Sequence, residues 1–192
     1  MRLASDSAAG RHHADLQTLR RLGCEWLFGL ATLTIAAPAK ADDLWIGIYQ
    51  HDATLAQVGF ETGQDLKAGW IGERIALRAI GSPAPHILVS KSLSGETDYF
   101  AAGLNWTVGK RWYVRPGIGL AVHNGPSRAF RKGKRVDLGS PILFAPEIAL
   151  GRRISDRLAL EASWIHLSHG TLLSEQNRGM DSWGIRMLVR LF

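Results

Sequence analysis

Between Ser163 and Gly170 the sequence reads Ser-Trp-Ile-His-Leu-Ser-His-Gly, and from Asn177 to Trp183 it reads Asn-Arg-Gly-Met-Asp-Ser-Trp. A serine hydroxyl is a weak nucleophile until a base takes its proton. A carboxylate on the far ring nitrogen of that base fixes its tautomer and stabilises the imidazolium. Ser168, His166 and Asp181 supply these three groups: nucleophile, general base and then acid, and orienter. On a strand, His166 and Ser168 are i and i+2 and project from one face. If Trp164 pairs with Trp183 across a hairpin, His166 falls opposite Asp181. The same register sets Glu161 opposite Arg186, Leu160 opposite Met187 and Leu158 opposite Val189, which is favourable on both faces. A one-residue slip would turn every one of these side chains to the wrong side, so agreement on two faces specifies the pairing. Spacing alone leaves a plainer alternative, in which His166 and Ser168 are polar residues ending a hydrophobic band.

Strands must position these groups, and period-two alternation is the main signal along the chain. Trp112, Val114, Pro116, Ile118, Leu120 and Val122 share one face, while Tyr113, Arg115, Gly117, Gly119 and Ala121 share the other. Similar alternation runs through 100–108, 142–150, 157–168 and 181–192, with further strands near 44–51, 58–71 and 85–91, eight in all. One face is almost purely aliphatic and aromatic; glycines and charges occupy the other. Trp106 and Trp112 flank the turn Gly109-Lys110-Arg111 as an interfacial girdle would, and short turns alternate with long loops. The final residue is the aromatic Phe192, although Arg190 stands where an apolar residue is usual. Pro116 and Pro146 each remove a ladder hydrogen bond unless bulged. The fold class predicted is all-β: an eight-stranded antiparallel transmembrane outer-membrane β-barrel, its interior filled by side chains. A soluble periplasmic lipid-binding barrel is the alternative in which the greasy side faces inward.

Composition sets the limits. The chain has 192 residues, 46% of them apolar, with 23 Lys and Arg against 17 Asp and Glu. No stretch reaches roughly 18 uncharged apolar residues, so no ordinary spanning helix is expected. Cys24 is the single cysteine, which excludes an internal disulfide and a cysteine-based metal site. Arg20 and Arg21, the weakly polar run from Cys24 to Ala37, and Ala39-Lys40-Ala41 read as a basic region, an apolar region and a cleavage site. Residues 1–41 are therefore expected to be a signal peptide with a long basic region, and 42–192 the barrel. An N-terminal buried helix is the alternative.

His-x-Ser followed by Asn-x-Gly-x-acid near the end of a small barrel resembles the lipid A 3-O-deacylase family, the PagL-type acyloxyacyl hydrolases. The resemblance in motif covers residues 163–183, and in strand layout the whole of 42–192. It implies an outer-membrane esterase that hydrolyses the 3-O-linked acyl chain of lipid A in lipopolysaccharide and releases a 3-hydroxy fatty acid, with no metal and no cofactor. His166, Ser168 and Asp181 match the family's triad, and Asn177 and Gly179 its connecting motif. His169 stands where the family usually has an asparagine implicated in the oxyanion hole, and Asp181 stands where glutamate is common.

Arg128, Arg131, Lys132, Lys134 and Arg135 cluster in one loop, where they either grip lipid A phosphates, as Arg can do in bidentate fashion, or form a solvated loop. Nucleic acid is excluded as a partner: the basic run is not interleaved with aromatics. His51, His86 and His123 lack partners at metal-ligand spacing and read as structural. Glu175 is a spare acid off the strand. Glu147, Glu161, Arg115 and Arg186 read as a charge network filling the barrel. A non-catalytic structural or adhesive barrel is the rival to the enzyme, and the sequence leaves open whether the protein is a homodimer.

Overall fold

A computed structural model describes residues 42–53, 61–127, 135–173 and 178–191. The expected signal peptide therefore lies outside the described residues. Ten hydrogen-bonded segments follow in order: β1 Asp43–Gln50, β2 Gln64–Ile71, β3 Ala84–Ser92, β4 Tyr99–Asn105, β5 Val108–Gly109, β6 Trp112–His123, β7 Ile142–Phe144, β8 Glu147–Arg153, β9 Leu158–Leu167 and β10 Met180–Arg190. Each pairs antiparallel with its neighbours, and β10 pairs back onto β1 from Asp43↔Arg190 to Gln50↔Trp183, which closes the sheet. Two pairs of segments are single staves interrupted: β4 with β5, and β7 with β8. The molecule is an eight-stranded antiparallel barrel.

The prolines explain both interruptions. Pro146 separates β7 from β8, yet the register onto β6 is the same on each side, with Leu120↔Phe144 before it and Gly117↔Glu147 after it. The gap between β4 and β5 lies across from Pro116, whose carbonyl accepts the Trp106 N–H at 2.9 Å. Proline has no N–H to return a bond. Each proline therefore costs a ladder bond without shifting the register, and neither needs a bulge. Of the strand expected over 58–71, residues 58–60 lie outside the described residues, and β2 begins at Gln64, directly after Gly63 with its φ of +115.

The exposure pattern runs opposite to that of a soluble barrel. Leu44, Ile46 and Ile48 on β1, Val114, Ile118 and Leu120 on β6, and Trp183, Ile185 and Met187 on β10 all face outward. On β10 the alternation is sharp: Ile185 is 65% exposed and its neighbour Arg186 is 1% exposed. Inside, Glu161 accepts from Arg115 Nε at 2.9 Å, Arg186 Nε at 2.6 Å and the Tyr113 hydroxyl at 2.7 Å. Glu147 accepts from Arg186 at 3.4 Å. A buried charge is tolerated only when paired and hydrogen-bonded, and these four side chains pair with one another across β6, β8, β9 and β10, with Arg186 Nη2 left without a partner. The loops that join β1 to β2, β3 to β4, β6 to β7 and β9 to β10 leave from one end of the barrel. The other end carries Asp43, Arg190 and the turns after β5 and β8.

Candidate active site

β9 and β10 pair in the register read from the sequence, with Trp164↔Trp183, Glu161↔Arg186 and His166↔Asp181 directly opposite. The outward parity of His166 puts its ring on the apolar wall at the loop end of the barrel. There its Nδ1 donates to Asp181 Oδ1 at 2.8 Å, with the two side chains 29% and 21% exposed. The Trp164 ring stacks on the imidazole at 5.7 Å between centroids and 20° between planes. Gly179 closes the approach from the β10 side. A Cβ added there would lie 2.8 Å from His166 Cε1, and its φ of +68 suits glycine.

Ser168 lies one residue beyond β9, half-buried, and is held from the opposite flank. Its N–H donates to the Phe144 carbonyl at 3.1 Å, and its own carbonyl accepts the Phe144 N–H at 2.7 Å. The β8–β9 register simply continues through this isolated bridge, so Ser168 keeps the parity of His166. His166 is thus fixed by β10 and Ser168 by β7. Ala53 adds a tie from the β1–β2 loop: its N–H donates to the Asp181 carbonyl at 2.9 Å. Below the site, Val114, Ile148, Leu150, Ala162, Trp164 and Trp183 border an open apolar groove of about 360 Å³ on the outer wall.

The structure treats the remaining expected site residues unevenly. His169 turns inward, as its odd parity requires, and is fully buried, with its Nδ1 accepting the Leu173 N–H at 3.4 Å. Asn177 and Glu175 lie outside the described residues, as do Arg128, Arg131, Lys132 and Lys134. Arg135 is described and reaches back into the barrel end. Its Nε stands 3.5 Å from Glu61, and its Nη2 donates to Thr97 Oγ1 at 3.2 Å and to Asn124 Oδ1 at 3.3 Å. It is therefore tied to the loops, whatever its four neighbours do.

Sequence reading missed a second polar assembly at the same end. His51, just past β1, is fully buried between Asp65 (Nδ1 to Oδ1, 2.6 Å) and Glu61 (Nε2 to Oε2, 2.7 Å). Glu61 also accepts the Thr97 N–H at 2.8 Å, the Thr97 hydroxyl at 2.9 Å and the Val136 N–H at 2.9 Å, joining three loops to one carboxylate. Burial alone would depress the His51 pKa, but the bonds and charges of Asp65 and Glu61 outweigh it and raise the value to about 9. Burial likewise works against the Glu61 carboxylate, yet its bonds to His51, Thr97 and Val136 hold it below its ordinary value. The inward parity of Trp45, Tyr49 and His51 was the available signal. His86 and His123 are also engaged: His86 Nδ1 with Asn105 Nδ2 at 3.0 Å, and His123 Nε2 donating to the Ser140 carbonyl at 2.7 Å.

Comparisons with known proteins bear on the family and the fold. The sequence profile described as lipid A 3-O-deacylase (PagL) matches residues 58–190. Among solved structures, the chain is similar to the crystal structure of the outer membrane enzyme PagL, with a TM-score of 0.58 and 16% identity over 77% of this chain and 98% of that one. It is also similar, at a TM-score of 0.47 and 11% identity, to the Yersinia pestis outer membrane protein Ail in a phospholipid bilayer nanodisc, over 79% of this chain and 99% of that one. No curated protein sequence matches it. The profile spans more than half of the chain, and on that ground the chain belongs to the lipid A 3-O-deacylase (PagL) family.

Proposed function

We propose that the protein is an outer-membrane esterase that removes the 3-O-linked acyl chain of lipid A by a Ser-His-Asp mechanism. The observation that carries this reading is the His166–Asp181 bond at 2.8 Å on the outward, partly exposed face of the wall, two residues from Ser168. Long loops face the outside and the termini the periplasm in barrels of this kind, so the site stands at the depth of the outer-leaflet headgroups. There an ester carbonyl of lipid A meets the wall while its chains lie against apolar residues. The groove beside Ala162 and Trp164 accommodates the chain to be released on the β8 flank, whereas the outer face of Leu158, Leu160, Ile185 and Met187 supports the others.

The chemistry follows from the hydrogen bond. With Nδ1–H committed to Asp181, Nε2 is the basic nitrogen. It takes the Ser168 proton as Oγ attacks the ester carbonyl, and it returns that proton to the departing sugar oxygen. Water then attacks the acyl-serine with the same base, and a 3-hydroxy fatty acid leaves. Asn177 is the side chain proposed to serve the oxyanion, with Gly179 shaping the approach to β10; the His169 side chain, expected to share that role, is instead turned into the barrel, away from the outer face. Arg128, Arg131, Lys132, Lys134 and Arg135 are proposed to meet the lipid A phosphates, and residues 1–41 to be the export signal.

Mass spectrometry of lipid A tests the reading. Purified protein incubated with lipopolysaccharide is expected to produce lipid A lighter by one 3-hydroxyacyl chain, and the Ser168→Ala variant is expected to produce none while keeping its heat-modifiable mobility. Equal product from that variant would end the proposed mechanism. No product from either protein would favour a non-catalytic barrel.

A further inference from the structure

At the end opposite the active site, several arginines are already committed. Arg190 pairs with Asp43 at 3.2 Å, Arg74 donates to the Thr107 carbonyl, and Arg153 donates to the Lys110 carbonyl. Arg111, Arg152 and Arg157 differ. All three are exposed, and among the described residues no carboxylate lies within 4.0 Å of them. The backbone brings all three to one foot of the barrel, where Arg157 borders the inner mouth beside Asp43, Asp156 and Tyr113. Arg152 pairs with Trp112 on β6 and with Leu160 on β9; the Arg111 carbonyl accepts the Arg153 N–H at 2.8 Å; and the Arg157 carbonyl accepts the Arg190 N–H at 2.8 Å.

The direction of Arg152 is informative. It continues the outward column of Ile148 and Leu150 on β8, so its guanidinium leaves the wall on the lipid side where the apolar belt ends. It lies over the exposed Trp112 ring, 5.3 Å from the centroid. A cation–π contact orients a guanidinium but leaves its charge uncompensated. At headgroup depth the matching group is an anionic oxygen, and a planar guanidinium suits a phosphodiester in particular.

We infer that Arg152 and Arg111, with Trp112, form a docking site for the phosphodiester of an anionic glycerophospholipid in the leaflet opposite the deacylation site. The acyl chains of that lipid run up the outer face from the Trp112 ring, which packs at glycerol depth, and the arginines hold the phosphate. Lys110 in the same turn adds a further charge. The inference depends on how the barrel sits in the membrane and not on the chemistry at Ser168.

The test uses the full mature chain refolded in neutral detergent and offered equimolar phosphatidylglycerol and phosphatidylethanolamine with identical acyl chains, with bound lipid counted by native mass spectrometry. The wild type is expected to retain phosphatidylglycerol preferentially. A cation near an anionic headgroup is worth about fivefold, so Arg152→Gln should lower the preference by about that factor. The triple variant K110Q/R111Q/R152Q should lower it at least about tenfold. Heat-modifiable mobility and lipid A deacylation are expected to be unchanged, and if the triple variant does not refold the single variant decides. Equal retention of the two lipids by the wild type, or an undiminished preference in the variants, overturns the proposal. Displacement of the lipid by millimolar inorganic phosphate would also overturn it, by showing an anion site that does not read the lipid.

Discussion

Gly179 offers a direct way to ask whether His166 is the working base, because it touches the ring without sharing its chemistry. In Gly179→Ala the new methyl would stand 2.8 Å from His166 Cε1, 3.2 Å from the Leu167 carbonyl and 3.3 Å from His166 Nε2. Ordinary contact begins at 3.4 Å, so the imidazole must retreat by about 0.6 Å or the backbone must move. The Leu167 carbonyl blocks one line of retreat and the stacked Trp164 ring resists another. A displacement of that size at a reacting centre costs on the order of 10- to 100-fold in rate. The left-handed backbone adds about 1 kcal/mol of strain. Gly170→Ala separates the two effects: Gly170 has φ +59 and open space where its Cβ would go, so it carries the strain without the clash. Turnover of lipopolysaccharide, followed by release of 3-hydroxy fatty acid, and unfolding midpoints measured in the same detergent supply both readouts. The two variants should lose similar stability, while Gly179→Ala alone loses rate, with KM little changed. Wild-type turnover in Gly179→Ala would refute the assignment of His166.

Three further outcomes are expected. Asp181→Asn keeps the shape but lets the wrong tautomer of His166 persist, and should lower kcat by about 10³- to 10⁴-fold with KM nearly constant; a loss below tenfold, measured on lipopolysaccharide, would mean that Asp181 does not orient the base. Glu161→Gln leaves Arg115 and Arg186 without their shared counter-ion and should cost about 3–5 kcal/mol in urea unfolding; an unchanged midpoint would show that the interior network adds nothing. His51 has a folded pKa of about 9, above its ordinary value, so its contribution is complete below about pH 6.5 and is lost as pH rises through 9. Protease nicking of the loops at Glu61, Thr97 and Val136 should therefore increase between pH 8 and about 10 in the wild type, whereas His51→Asn should be nicked alike at both pH values.

The parts of the fold that obey period two were legible because the two faces of each strand meet different solvents. Lipid on one side and ion pairs on the other leave Ile185 and Arg186 no choice of direction. The β9–β10 register was legible for the same reason: Trp164, Glu161 and His166 each find a suitable partner in only one alignment. The prolines were read as costs, but their effect depended on which neighbour lost a donor, which only the assembled sheet reveals. The His51–Glu61–Asp65 assembly was harder. It joins residues from separate loops and strands, and Glu61 gains its importance from the Thr97 and Val136 N–H groups, which no spacing rule brings together. Ser168 lies between these cases, since its parity was plain but its anchoring by Phe144 across the Pro146 gap was not.

The interior network and the active site depend on the same alignment, and this says how a barrel can hold a precise constellation on its lipid face. Outside, Leu160, Ala162, Ile185 and Met187 meet hydrocarbon, and a two-residue slip would exchange one apolar contact for another at little cost. Inside, that slip would carry Glu161 roughly 7 Å from Arg186, separating charges that have almost no water to replace the partner. The outer wall therefore supplies little register information of its own, and the buried ion pair supplies most of it. A substitution set such as Glu161→Leu, Arg186→Leu, Arg115→Leu and Glu147→Leu tests the point, because it replaces the whole charge network with apolar bulk and leaves no buried charge unpaired. The barrel should keep its heat-modifiable mobility while the His166–Asp181 alignment loses its enforcement, so deacylation should fall with stability largely retained. Full activity in that quadruple variant would locate the register information elsewhere, in the loops tied to Glu61 or in the turn that joins β9 to β10.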